Sequence, residues 1–113
     1  MIAIGDEKMK IIGVTACPSG FAHTYMAAEA IRKACKERNI EVKVETQGSI
    51  GCDNYLTEDD VKSADGIILT KDIDIQEAER FKGKPVIKAF AGDVIKKAPQ
   101  IVEKLVQYLE QNK

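Results

Sequence analysis

Tryptophan is absent from this chain, histidine occurs once, and only 5% of the residues are aromatic. Few rings are therefore present to stack a flavin, and no GxGxxG follows the first apolar run, so neither a flavin nor a dinucleotide carrier is favoured. Charge of one sign is missing too. Seventeen Lys and Arg face eighteen Asp and Glu, a net charge of −1, which gives no electrostatic case for nucleic acid or an anionic membrane surface. No apolar run approaches the roughly 20 residues of a membrane-spanning helix, so no direct membrane insertion is expected. The start, Met1 to Lys8, is too short and too acidic for a signal peptide. The cysteines are Cys17, Cys35 and Cys52, an odd set without a CxxC, which predicts free thiols in a reducing cytosol. With His23 they lack paired-ligand spacing, so no metal site is expected.

What is present is a 113-residue chain with 44% hydrophobic residues, the size of one domain with a real core. One domain is expected over residues 1–113, with 1–9 as a short arm. The first strand is read over Lys10–Ala16, and a helix over Thr24–Arg38 with Met26, Ala27, Ala30, Ile31, Ala34 and Cys35 on its apolar face. Asn39 ends that helix. A strand over Ile40–Glu45 alternates apolar and charged residues, as an edge or half-wet strand does. A loop from Thr46 to Tyr55 follows. Thr57 reads as the N-cap of a short helix with acidic first-turn residues, ending near Ser63. Asp65–Thr70 is a continuously apolar central strand. A short helix is predicted over Ile75–Phe81, and Lys84–Ala89 is an edge strand because Pro85 has no N–H to donate. The last helix spans Asp93–Gln111, with Pro99 inside it either kinking it or resetting its start.

Strands alternating with helices predict an α/β fold of three αβα layers. Its four-stranded, mainly parallel sheet has the order 2-1-3-4, in the Rossmann or flavodoxin-like manner, with a phosphate-binding loop after strand one. Ligands of such sheets bind beyond the carboxyl ends of the strands. Cys17, the loop from Thr46 and the Lys71-Asp72 turn all fall at that edge.

Cys17 is the chemically informative residue. It stands where the first strand gives way to the loop Pro18, Ser19, Gly20, Phe21, Ala22, His23 and Thr24. Pro18 favours an extended backbone at Cys17, and Gly20 permits close approach of backbone to a ligand. No acidic side chain lies between Cys17 and Ala28, which leaves the positive end of the following helix open to an anion. The same field favours thiolate over thiol. His23 either hydrogen-bonds a phosphoryl oxygen or faces water, and Thr24 is either an N-cap or a donor to the sulfur. Gln47, Gly48 and Ser49 line a pocket or partner surface, or are an ordinary loop; Asp72 is a further candidate at the same edge. Cys35 reads as core and Cys52 as incidental. Glu58, Asp59 and Asp60 read as capping residues.

The stretch Cys17-Pro18-Ser19-Gly20-Phe21-Ala22-His23-Thr24-Tyr25-Met26-Ala27-Ala28-Glu29-Ala30 resembles the signature of the fructose-type IIB domain of the bacterial phosphoenolpyruvate-dependent sugar phosphotransferase system (PTS). The resemblance continues through Val44 to Gly51, near Ala64-Asp65, and at Glu79 to Pro85, covering about residues 10 to 90. Ser19 and Phe21 depart from the Thr and smaller aliphatic residue expected there. The resemblance implies that Cys17 takes a phosphoryl group from a phosphohistidine on a IIA partner. It would then pass the group to a sugar carried by the membrane IIC partner, at the inner face of the membrane and without a cofactor of its own.

Two other classes share parts of this pattern. Low-molecular-weight tyrosine phosphatases and arsenate reductases carry Cys-x5-Arg-Ser/Thr after strand one. Here His23 stands at the Arg position, and a bidentate, permanently charged clamp is lost. A flavodoxin-like binding module would leave Cys17 without a role.

Overall fold

The computed structural model describes residues 9–17, 21–48 and 51–111. Expectations for residues 1–8, Pro18, Ser19, Gly20 and Ser49, and for the Phe21 side chain, lie outside the described residues. The elements are β1 (Lys10–Thr15), α1 (Phe21–Glu37), β2 (Glu41–Gly48), β3 (Gly51–Asp53), α2 (Glu58–Ser63), β4 (Gly66–Thr70), a 3-10 turn (Ala78–Phe81), β5 (Val86–Ala89) and α3 (Ala91–Gln111).

The sheet has five strands in the order β3-β2-β1-β4-β5. β1 pairs in parallel with β2 and β4, and β4 in parallel with β5, while β3 runs antiparallel to β2. This mixed sheet corrects the four-strand expectation. The segment read as a loop from Thr46 is the end of β2 folding back as a hairpin, with Gly48 opposite Gly51. Gly51 has φ +133°, a conformation closed to other residues at low cost. Two glycines close together gave a loop-like composition, yet they are the facing ends of two paired strands. β2 is consequently an inner strand. β5 forms the other edge, as Pro85 required.

Period-two alternation sorts the strands' side chains onto two cores. Ile11, Val44 and Ile68 pack against α1 and α3. Ile12, Val14, Ile67 and Leu69 pack on the opposite face against Leu56, Val61 of α2 and Phe81 of the 3-10 turn. Helical structure therefore covers both faces. β4 is buried throughout, as its apolar run demands.

α1 begins three residues before the expected Thr24, because its first turn is built from the small-residue stretch read as loop. Its buried stripe is Ala27, Ala28, Ile31, Ala34 and Cys35, whereas Met26 is exposed. Asn39 terminates the helix with φ +59°. The Ile40 N–H bonds the Cys35 carbonyl and the Asn39 N–H bonds that of Lys36, a Schellman ending with Asn in the usual glycine place. The helix expected over Ile75–Phe81 contracts to the 3-10 turn, since Glu77 adopts a left-handed conformation just before it. α3 starts at Ala91 and is interrupted at Lys97 (φ −129°, ψ 25°). Pro99 removes an N–H and crowds the preceding turn, so the second half of the helix starts afresh. Val102, Leu105, Val106 and Leu109 form its buried stripe.

Candidate functional site

Most of the buried polar side chains gather at the carboxyl edge of the parallel strands: Thr15, Thr24, Thr46, Gln47 and Thr70. Buried hydroxyls need partners, and two of these supply a frame for the chain leading to Cys17. The Thr70 hydroxyl accepts from the Ala16 N–H at 2.9 Å and donates to the Ala16 carbonyl at 3.0 Å. The Thr15 hydroxyl donates to the Thr24 carbonyl at 3.1 Å, tying the end of β1 to the first turns of α1. The residue before Cys17 is thus held to β4, and the residue before that to α1.

Cys17 follows this clamp, half-buried, with its sulfur 3.2 Å from His23 Nδ1. The first turn of α1 carries no acidic residue, so the partial positive charge of its N-terminus is uncompensated by carboxylates. Of the two roles weighed for Thr24, neither is seen. It lies within the helix, buried, and among the described residues the hydrogen-bond partner of the sulfur is the imidazole. Ala22 is exposed on the same turn.

Beside this point a cleft of ≈ 150 Å³ opens between α1 and the β2–β3 hairpin, lined by Thr24, Tyr25, Thr46, Gln47, Gly48, Gly51, Cys52 and Asp53. The Tyr25 hydroxyl donates to Asp53 at 2.6 Å, which joins the helix to the hairpin. That hydrogen bond to a carboxylate raises the Tyr25 pKa. Gln47 lines this cleft with its side-chain amide already engaged. Its amide donates to Glu45 at 2.7 Å and to the Gln76 carbonyl at 3.1 Å, and accepts from the Gln76 N–H at 2.9 Å. Asp72 is likewise structural: it accepts from the Ala91 N–H at 2.7 Å, capping α3. Cys35 is fully buried, and burial pushes its thiol up to about 12.

The structure thus brings Cys17 and His23 together, places Thr24, Gln47 and Gly48 on the adjoining cleft, and ties Asp72 to the start of α3. Sequence reasoning missed the threonine frame. Its signal was available: Thr15, Thr46 and Thr70 each stand at the carboxyl end of a strand.

Under the same edge, on the other face, Arg80 holds Glu45, whose side chain is 1% exposed. Nη1 and Nη2 reach the two carboxylate oxygens at 3.0 and 3.2 Å. The remaining donors go to the carbonyls of Glu77, Leu56 and Gln76. Burial pushes the Glu45 carboxyl up, but the bonds from Arg80, the Leu56 N–H and Gln47 outweigh it and leave its pKa below the usual value.

This α/β fold is shared with PTS IIB proteins. The family model described as "PTS system, Lactose/Cellobiose specific IIB subunit" matches residues 12–104. The Enzyme IIB subunit of a PTS from Escherichia coli K12, a solution structure, superposes with a TM-score of 0.87 at 37% identity, covering 93% of this chain and 97% of that one. A domain of the fructose-specific IIABC component of Borrelia burgdorferi gives 0.82 at 44% identity, covering 88% and 94%.

The chain belongs to the fructose-type PTS IIB family: it is 58% identical over 102 residues to the "PTS system fructose-like EIIB component 2" of Escherichia coli K12, covering 90% of this chain and 96% of that protein. It is also 44% identical to part of the Bacillus subtilis "PTS system fructose-specific EIIABC component", covering 86% of this chain and 15% of that longer protein. Among the described residues no helix is long and apolar enough to cross a membrane.

Proposed function

We propose that this IIB component is a phosphocarrier in which Cys17 accepts a phosphoryl group from a phosphohistidine of a IIA protein. Cys17 then passes it to fructose or a fructose-like sugar held by a membrane IIC protein. The observation that carries this reading is the Cys17 sulfur itself. It is half-buried at the end of β1, within hydrogen-bond distance of His23, beside a helix N-terminus free of acidic residues. A thiolate is the attacking species. The backbone N–H groups of Pro18–Thr24, proline apart, would bind the phosphoryl oxygens at each transfer. The group travels covalently on sulfur, so the reaction calls for no metal or organic cofactor. The protein works in the cytoplasm and meets IIC at the inner face of the membrane. Relatives in which IIB is part of a IIABC chain support these partners.

The test is intact-protein mass spectrometry after incubation with phosphoenolpyruvate, the general phosphotransferase proteins and a fructose-type IIA. Wild type gains one phosphoryl group and Cys17→Ser gains none. No gain on folded wild type, with two different active fructose-type IIA donors, would remove the reading.

A further inference from the structure

Attack by Cys17 requires its sulfur to lose a proton, since a free cysteine is only a few per cent thiolate at pH 7. The groups around the sulfur narrow the choice of acceptor. The hydroxyls of Thr15 and Thr70 donate to backbone carbonyls. The Asp72 carboxylate accepts from the Ala91 N–H, and Asp53 from Tyr25. No acidic residue stands between Cys17 and Ala28. The one titratable side chain within hydrogen-bond distance of the sulfur, among the described residues, is His23, with Nδ1 3.2 Å away. Among the same residues its ring has no second polar partner, so no carboxylate fixes either nitrogen.

We propose that His23 is the general base and general acid for Cys17, and not a phosphate ligand alone. The reaction it serves rests on the phosphocarrier reading. On acceptance, the sulfur electron pair forms the S–P bond, the thiol proton passes to His23 Nδ1, and the P–N bond of the donor breaks. The nitrogen of the departing imidazole keeps that bond's electron pair and takes a proton from solvent. On delivery, a sugar hydroxyl oxygen bonds to phosphorus and releases its proton to solvent. The S–P bond breaks, and Nδ1 returns its proton to the sulfur. His23 gains and loses one proton per cycle.

Alkylation of Cys17 by iodoacetamide at pH 7 tests the proton transfer without any phosphotransferase partner. Peptide mass spectrometry separates Cys17 from the exposed Cys52 and buried Cys35. Wild type is compared with His23→Ala and His23→Asn, each checked for folding by circular dichroism. Asn keeps a hydrogen-bonding nitrogen near the place of Nδ1 but takes up no proton. Both variants should react about tenfold slower, within the range that a few-per-cent thiolate allows. An Asn variant at the wild-type rate would reduce His23 to a hydrogen-bonding support and overturn the proposal, as would two unaffected variants. In a second arm, single-turnover phosphoryl uptake from phosphorylated IIA should slow about 100-fold in both variants, with the final extent unchanged. Wild type that alkylates through His23 yet accepts no phosphate would end the phosphocarrier reading and leave the thiol–imidazole pair standing. Uptake at the wild-type rate in His23→Asn would end this proposal and leave the carrier reading standing.

Discussion

Arg80 has five N–H donors, and the fold presents it with five oxygens, two of them on the buried Glu45. Its guanidinium also lies 4.8 Å from the ring centres of both Tyr55 and Phe81. Lysine has neither the fork nor the planar face, so Arg80→Lys should fail to replace it. Arg80→Ala strands a buried carboxylate, at a cost of about 3–5 kcal/mol, read as a lower urea midpoint. The double variant Arg80→Met/Glu45→Leu should lose less than Arg80→Ala, because no charge is left unpaired. Because the folded-state pKa of Glu45 is depressed, its contribution is complete above the unfolded value of about 4.3 and is lost as pH falls through the folded value. Gly13 is constrained differently. A Cβ there would meet the Ile68 carbonyl oxygen at 2.9 Å, a backbone atom of the neighbouring strand that moves only with the sheet. Gly13→Ala should therefore destabilise by about 1–3 kcal/mol, lowering the thermal midpoint roughly 4–8 °C per kcal/mol. An unchanged midpoint would show that β1 and β4 can separate locally.

At the scale of elements, α2 illustrates what short-range chemistry makes legible. Thr57, read as an N-cap from the three acids that follow it, forms a reciprocal capping box with Asp60. Asp60 does more than cap: it takes Lys43 of β2 at 2.7 Å and Lys10 of β1 at 3.4 Å. The Lys43 bond first, then the Thr57 backbone, hold its carboxyl far below the usual carboxylate range. Its stabilisation is therefore complete above the unfolded value of about 3.9 and disappears only in strong acid. Thr57→Ala should cost about 1 kcal/mol. Asp60→Asn should lower stability at neutral pH and leave a shallower acid limb in a pH series of thermal melts; an acid limb identical to wild type would refute the assignment. Neither lysine was readable as a partner, because the pairing depends on which strands the topology brings beside α2. The same division runs through the other elements. The apolar run of β4, the Asn39 stop and the Pro99 interruption are local and were visible. The hairpin of β3 was not, since three exposed residues carry no hydrophobic period. Nor was the early start of α1, whose first turn lacks the acidic residues that usually mark one.

The whole molecule gathers its candidate functional groups at one edge. Cys17, the N-terminus of α1, the cleft beneath the β2–β3 hairpin and the exposed Tyr25 and Met26 all stand there. That convergence followed from parallel strands alone, so the location of the candidate site was legible even though His23's contact with the sulfur, set by where α1 begins, was not. On the proposed phosphocarrier role, one sulfur would meet a donor and an acceptor in turn, with room for one partner at a time. A half-buried thiol must be approached along the same opening by the phosphohistidine and by the sugar-bearing protein. Binding of IIA and IIC should accordingly be competitive. Titrating unphosphorylated IIA into a mixture of this protein and IIC in nanodiscs should raise the apparent Kd for IIC in proportion to IIA occupancy. With a net charge of only −1, long-range attraction does little to hold either partner, so the competition should persist at high salt. A stable complex containing all three proteins would mean that donor and acceptor approach Cys17 from different sides, and that the edge around α1 is not the shared contact.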